Sequence, residues 1–492
     1  MKALEAGIRV GRNTAFRAGA QALSALVNVA GMLLLGRHLS ASGYGEYAFY
    51  YALIPLIASV CDVGAGVVVT REMARSRADA ARTLGDGLVV RAIVGGLLLV
   101  AGLGFGLALA PAHAWLVLLV TAAGVLDFGQ DPAVWAFRAS ERLDLESALL
   151  LVSQLAWLAG LALALRLGGS IEALIGVAAA AFLLRTLAGL ALLSRLGHSP
   201  RFAPAAARIG RLVSEGWPIG LALLLVVLYG RVGVFALKLW SGAAQVACFN
   251  VAYLLSQPLG FLASALSIAA FPAFARLRAG ERADIEKPLR SAFQYQLLLA
   301  LPIGAALLLL ADRVVPLLFH ASAGYAAAGA ALRVMALAIP CVFLNLHSRY
   351  LLSALGRQRS YLVAMALGLA VNVIGCAATA RAFGALGAAW TFVAAETVVF
   401  VFCQRALAAE LSVRTLVSRA WRPLVAASLM GAAMFAARAG GLALEVAVGV
   451  LAYPAALVAT RALSAEEWAV VRNVVATFVP AAGWRANFWR NA

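Results

Sequence analysis

Long apolar runs separated by short polar breaks fill the chain from end to end. We count fourteen, centred near Leu26, Leu56, Leu99, Val120, Leu155, Ala180, Val227, Phe261, Leu301, Leu337, Leu369, Ala395, Leu429 and Leu451. A run of about 20 apolar residues is what a helix needs to cross a bilayer. The pattern therefore predicts an all-α polytopic membrane protein with fourteen transmembrane helices. Pro55, Pro258, Pro302 and Pro340 interrupt some runs, which spanning helices tolerate when neighbours satisfy the freed backbone groups. The first run carries Arg17 and outlasts the apolar core of a signal peptide, so it is expected to stay as an anchor.

The basic stretch Arg195–Arg211 separates the first six runs from the next six. The predicted organisation is a lobe of helices 1–6 over residues 1–196 and a lobe of helices 7–12 over 197–410. Two further helices occupy 411–463, and a tail follows over 464–492. Six crossings return the chain to its starting side, so any repeat is parallel, with a pseudo-two-fold axis along the membrane normal. Aligning SASGYGEYAFYYAL with GAAQVACFNVAYLL pairs Ala41 with Ala243, Tyr51 with Tyr253 and Leu53 with Leu255, a weak internal match. In the tail, Ser464 and Glu467 have capping-box spacing, and Trp468, Val471, Val474, Val475 and Phe478 share one face. This predicts an amphipathic helix lying on the cytoplasmic membrane surface as an anchor.

Composition agrees with the pattern: 63% of the residues are hydrophobic and only 13% charged, against about half and a quarter in soluble domains. The net charge of +18 is not a nucleic-acid signal, because the cations lie in the short connections. With the N-terminus inside, interior stretches hold 29 basic residues and exterior loops 5, namely Arg37, Arg166, Arg313, Arg381 and Arg438. That bias places both termini in the cytoplasm of a bacterial inner membrane protein. The excess of Arg over Lys, 37 to 3, with abundant Ala, fits GC-rich bacterial coding. The five cysteines lie in apolar runs without paired spacing and read as small buried hydrophobes.

Candidate chemistry centres on Trp217–Gly242, an apolar run with Arg231 and Lys238 set into it. Read as one helix, it places Arg231 about 21 Å into a hydrocarbon layer of about 30 Å. A cation there costs about 2.5–3.5 kcal/mol on insertion scales unless it meets water or an anion. Arg231 is thus expected to face inward toward a ligand, or else to pair with a buried carboxylate or the carbonyls of a broken helix. Lys238, seven residues on, either shares that face or snorkels to the interface.

Polar stripes mark further spanning runs. They comprise Asn13, Arg17, Gln21, Ser24 and Asn28; Tyr51, Ser59 and Asp62; and Asp127, Gln130 and Asp131. Asn250, Tyr253, Gln257 and Ser264 follow, then Asn345 with Arg349, and Glu396. Each stripe reads either as interhelical hydrogen bonding, worth only about 0.6 kcal/mol per contact, or as the lining of a hydrated cleft. Guanidinium groups bind phosphate bidentately, and amides and aromatics suit sugars. Arg17, Gln21, Asn28, Arg231, Lys238, Asn250, Tyr253, Gln257, Asn345 and Arg349 are therefore the candidate substrate contacts. Asp62, Asp127, Asp131 and Glu396 are candidates for ion or proton coupling, or counter-ions to Arg17, Arg185 or Arg231. No phosphate-loop or metalloprotease motif is present, and the five histidines are scattered. No enzyme, metal or cofactor is expected.

Several of these stretches, in order, resemble the polysaccharide transporter branch of the multidrug/oligosaccharidyl-lipid/polysaccharide (MOP) exporter superfamily, the Wzx-type flippases. The first is NTAFRAGAQALSALVNVAGMLLLGRHLSASGYGEYAFYYAL (Asn13–Leu53), followed by CDVGAGVVVTRE (Cys61–Glu72). Later come FPAFARL (Phe271–Leu277), LLFHASAGYAAAGAALRVMALAIP, LLSALGRQRSYLVAMALGLAVNVIG and FGALGAAWTFVAAE, ending at Glu396. The resemblance implies two six-helix bundles around a V-shaped cleft, with helices 13 and 14 peripheral. It implies an undecaprenyl-diphosphate-linked oligosaccharide moved from the cytoplasmic to the outer leaflet by alternating access. Polymerase and chain-length partners in surface-polysaccharide synthesis are implied too, and Arg17, Arg231 and Lys238 match the cations that meet the pyrophosphate. One departure stands out: where relatives often carry Arg-x-Asp in helix seven, Arg231 is followed by Val232 and Gly233. The rival expectations are an ion-coupled exporter of drugs or small molecules on the same fold, and a non-transporting scaffold for glycan assembly.

Overall fold

The computed structural model describes residues 2–109, 111–127, 132–197, 199–278, 282–319, 324–408, 410, 413–463 and 468. The helices are α1 (Lys2–His38), α2 (Ala41–Asp62), α3 (Ala65–Arg75), α4 (Ala80–Leu109), α5 (Ala114–Leu126) and α6 (Pro132–Ala139). There follow α7 (Leu143–Arg166), α8 (Ile171–Arg195), α9 (Ala206–Tyr229), α10 (Val232–Trp240), α11 (Ala243–Ser256) and α12 (Gly260–Arg278). The last are α13 (Arg282–Leu318), α14 (Ala326–Ala336), α15 (Ile339–Ala354), α16 (Gln358–Ala406), α17 (Val413–Ala436) and α18 (Leu442–Ala459). No strand occurs among the described residues.

Among the described residues ten helices are long and apolar enough to cross a membrane, or up to twelve if each of two bent pairs counts as one span. Length and composition alone thus do not reach the fourteen runs counted in the sequence, for local reasons. Two of the runs, near Leu369 and Ala395, share α16, which turns at Gly384 (φ 55°, ψ −137°). Its two halves then pack on each other, with the Thr379 and Thr391 hydroxyls 3.2 Å apart. The run near Val120 is the shorter apolar segment Pro111–Leu126. The whole tail over 464–492 except Trp468 lies outside the described residues.

The surface is inverted relative to a soluble fold. On α4, Leu97 is 66% and Val100 72% exposed, a contiguous apolar face that needs lipid to cover it. Polar groups turn inward or cap. Ser40 opens α2 by accepting the Gly43 N–H at 3.1 Å, one of the donors a helix start leaves unpaired. Val63 and Gly64 then take left-handed conformations, and α3 leaves at 50°. The buried Asp62 carboxylate accepts the Gly66 N–H at 3.1 Å, capping the first turn after the bend.

The chain forms two compact units. The first comprises Met1–Phe261, Val315–Ala331 and Met365–Ala395, and the second Leu262–Val314, Leu332–Ala364 and Glu396–Ala492. A core of Val68, Val69, Met73, Leu84, Trp135, Phe137 and Leu212 sits in the first, and one of Leu298, Ala426, Ala456 and Leu457 in the second. Within the first unit, α2 and α11, which carry the weak internal match, pack directly on each other. The approach is so close that a Cβ on Gly45 would fall 1.7 Å from the Ala243 carbonyl oxygen. Gly45→Val should therefore destabilise the protein by about 3 kcal/mol or more, the upper range of overpacking. A melting curve in detergent should drop sharply, and an unchanged curve would show that the two helices do not meet in this way.

Candidate functional site

The run Trp217–Gly242 is not the single helix its composition suggests. α9 starts earlier, at Ala206, and ends at Tyr229; Gly230 and Arg231 break it before α10 resumes. Arg231 takes φ −119° and ψ −7° at this junction. Its guanidinium is half-buried and makes no hydrogen bond or ion pair among the described residues. The group it acts on electrostatically is the Tyr51 hydroxyl, which Asp127 and Arg185 also reach. Tyr253 completes the edge of this cluster: a Cβ on Gly230 would lie 2.9 Å from its hydroxyl. The Tyr253 ring stacks on Phe249 and meets Phe392 edge-on.

The site in the first unit thus gathers Arg231, Tyr51, Asp127, Arg185 and Tyr253 beside a broken helix. Two of these, Tyr51 and Arg185, were not among the candidate contacts. Arg185 is 1% exposed on α8, where it donates to the Leu126 carbonyl at 3.3 Å and lies over Phe182. A cation inside an apolar run was the available signal for it. Asp127 follows the last residue of α5.

Other candidates are used elsewhere. Lys238 neither joins Arg231 nor snorkels alone: its Nζ donates to Glu46 on α2 and lies over the Phe49 ring. Asn250 is buried and donates to the Tyr44 hydroxyl at 2.8 Å, tying α11 to α2. Asn28 donates to the Ser24 carbonyl of its own helix at 3.0 Å, and Gln21 is exposed. Gln257 occupies the 3-10 turn after α11, its Nε2 buried without a hydrogen-bond partner among the described residues. Arg17 lies on α1 with its side chain outside the described residues, as is the whole of Asp131.

The second unit carries its own polar group. Asn345 on α15 donates to the Glu396 carbonyl at 3.0 Å and to its carboxylate at 2.7 Å. Arg349, one turn on, donates to the Tyr350 hydroxyl at 3.2 Å and, with Glu396, acts on Tyr361. Asp62 and Glu396 therefore each already accept a hydrogen bond, at a bend and between helices respectively. Among the described residues no three His, Cys, Asp or Glu side chains gather as a metal site.

A family model described as "Polysaccharide biosynthesis protein" matches residues 10–278, and a MatE model matches residues 218–378. Among solved structures, the chain is similar to a lipid II flippase MurJ in an inward closed conformation. The TM-score is 0.74 at 12% identity, covering 93% of this chain and 99% of that one. It is also similar to an inward-facing multidrug resistance MATE family transporter (TM-score 0.63, 15% identity, 81% and 98% covered). A MOP superfamily transporter from Pyrococcus furiosus matches with a TM-score of 0.57 at 16% identity, covering 82% and 95%. No curated protein matches the sequence.

The Lys238–Glu46 pair gives a direct check of this geometry. Glu46→Gln leaves an ammonium about a quarter exposed without its anion and should cost about 1–2 kcal/mol, less than a fully buried pair because solvent screens it. Adding Lys238→Met should restore most of the loss in a thermal melt. Additive losses in the double variant would mean the two side chains do not interact.

Proposed function

The chain belongs to the polysaccharide biosynthesis protein family of the MOP exporter superfamily, a family of multi-pass membrane transporters rather than enzymes, and we propose that it is a lipid-linked oligosaccharide flippase. The cargo in this reading is an undecaprenyl-diphosphate-linked repeat unit of a surface polysaccharide. It moves from the cytoplasmic to the outer leaflet of the inner membrane by alternating access, with the polyprenyl tail left in lipid.

The observation that carries the reading is Arg231. It is a half-buried guanidinium at a break in a membrane-spanning segment, without a hydrogen-bonding or ion-pairing partner among the described residues. Such a cation is costly in hydrocarbon and stabilised by an anion that arrives. A diphosphate offers paired oxygens that match the guanidinium fork. The Tyr51 and Tyr253 hydroxyls beside it are donors for phosphate or sugar oxygens, and their rings are surfaces for sugar faces. Arg185 adds a second positive charge acting on Tyr51.

Binding shifts an inward–outward equilibrium only by the difference in affinity between the two states. Direction must come from an ion gradient or from removal of the product. Of the candidate acids that are described, Asp127 is the one that acts on Tyr51 together with Arg231 and Arg185, and it is the first choice for coupling.

A second reading is favoured by the MatE match over residues 218–378: an ion-coupled exporter of drugs or other small molecules. Arg231 and Arg185 beside one acid make a poor site for a cationic drug, which ranks this reading second. In proteoliposomes loaded with undecaprenyl-diphosphate-linked oligosaccharide, Arg231→Ala should slow flipping by about 10–100-fold, the loss of one or more charged hydrogen bonds. Arg231→Lys should recover part of the rate, since charge returns without the bidentate geometry. Flipping at the normal rate in the alanine variant sinks the assignment, and drug resistance without flipping moves it to the second reading.

A further inference from the structure

In the second unit, α13, the first part of α17 and the turn after α18 enclose a cavity of about 490 Å³. Gln294 about a third of the way along α13, Arg419, Trp421 and Arg422 in the first part of α17, and Arg461 just after α18 line it. α17 begins here and α18 ends here, with two spans between, so the cavity lies at one membrane face. The distribution of basic residues assigns that face to the cytoplasm.

Its walls are built rather than incidental. Gln294 is 3% exposed, donates to the Ala462 carbonyl at 2.6 Å and accepts from Arg419 at 2.6 Å. Arg422 donates to the Arg461 carbonyl at 2.9 Å and lies 5.2 Å from the Trp421 ring centroid. That carbonyl is aimed by an uncommon backbone, since Arg461 is a non-glycine residue at φ 49°. Among the described residues neither Arg422 nor Arg461 has a carboxylate within ion-pair distance.

The outer face of α17 supplies the second half of the recognition. Val417, Trp421, Leu424 and Val425 are 63%, 50%, 53% and 41% exposed. Their spacing of four, three and one puts them on one helical stripe, which starts at the cavity and runs toward the membrane interior. Guanidinium groups at the mouth and an apolar track leading away match a molecule with a phosphate head and acyl chains. Basic pockets between helices at the cytoplasmic face are of the kind that hold anionic headgroups, and the volume falls within the ~300–1,000 Å³ of small-ligand sites.

We propose that this cavity binds the phosphodiester headgroup of an anionic phospholipid from the surrounding leaflet, with its acyl chains lying along α17. The site is separate from the Arg231 cluster, and its readout is lipid retention, so it stands or falls independently of the transported cargo. The same guanidinium chemistry would take free phosphate, and the phosphate arm of the test below separates the two sources.

The test is native mass spectrometry of the purified full chain in detergent, with equal amounts of phosphatidylglycerol and phosphatidylcholine added. The wild type should retain phosphatidylglycerol preferentially. Arg422→Gln combined with Arg461→Gln should reduce that preference by about fivefold per arginine. Arg422→Lys with Arg461→Lys should keep most of it, because the charge persists. Inorganic phosphate in millimolar excess should leave the bound lipid in place. Equal retention of both lipids by the wild type overturns the proposal whether or not the variants fold. An undiminished preference in the glutamine variant, or displacement of the lipid by inorganic phosphate, overturns it as well.

Discussion

A guanidinium in an apolar helical segment needs an oxygen partner, and Arg231 has no hydrogen-bonding or ion-pairing partner of its own among the described residues. The helix that carries it breaks beside it, at Gly230, so the cation stands at a junction rather than on a continuous cylinder. The junction follows the span Ala206–Tyr229, and a break in an apolar segment is tolerated where the chain faces protein or a water-filled space rather than lipid. The tyrosines gathered there, Tyr51 and Tyr253, present an apolar body with a polar tip. They can line such a space without the desolvation cost of another charge.

The other embedded charges show by contrast how this chain normally treats them. Glu445 is fully buried and pairs with Arg313 at 2.9 Å, and the same Arg313 donates to the Arg438 carbonyl at 2.8 Å. Glu146 pairs with Arg138 at 2.7 Å, and Asp86 with Arg208 at 2.6 Å. Lys238 is spoken for by Glu46. Leaving one member of a buried pair alone is strongly destabilising, so pairing is the economical arrangement. Arg231 has no such partner among the described residues, and under the proposed function an arriving anion would offset that cost.

The packing around the site depends on backbone approach. α2 reaches α11 through Gly45 against Ala243, and Asn250 and Tyr44 add a buried hydrogen bond to the same interface. Membrane helices gain little from burying apolar surface against each other, since lipid is equally apolar. Small residues and interhelical hydrogen bonds therefore do much of the association. The same α2 carries Glu46 to Lys238 and Tyr51 toward Arg231. One helix thus sets both a structural ion pair and a wall of the candidate site.

Hydrophobic patterning alone determined that the chain is all-helical and membrane-embedded, because a backbone in lipid must satisfy its own hydrogen bonds and only long apolar helices do so here. The ordered motifs pointed to the MOP superfamily, and the cations set into apolar runs marked Arg231 as the group to explain. The break at Gly230–Arg231 was invisible to periodicity, because residues on both sides are equally apolar and helix-compatible. The spacing that put Lys238 on the face of Arg231 assumed an unbroken helix, and the partner that claims Lys238, Glu46, is remote in sequence. Asn28 and Asn345 looked alike as polar residues in apolar runs, yet one bonds its own helix and the other Glu396. Which partner a side chain meets depends on how helices pack, and packing is decided by three-dimensional approach rather than by spacing along the chain.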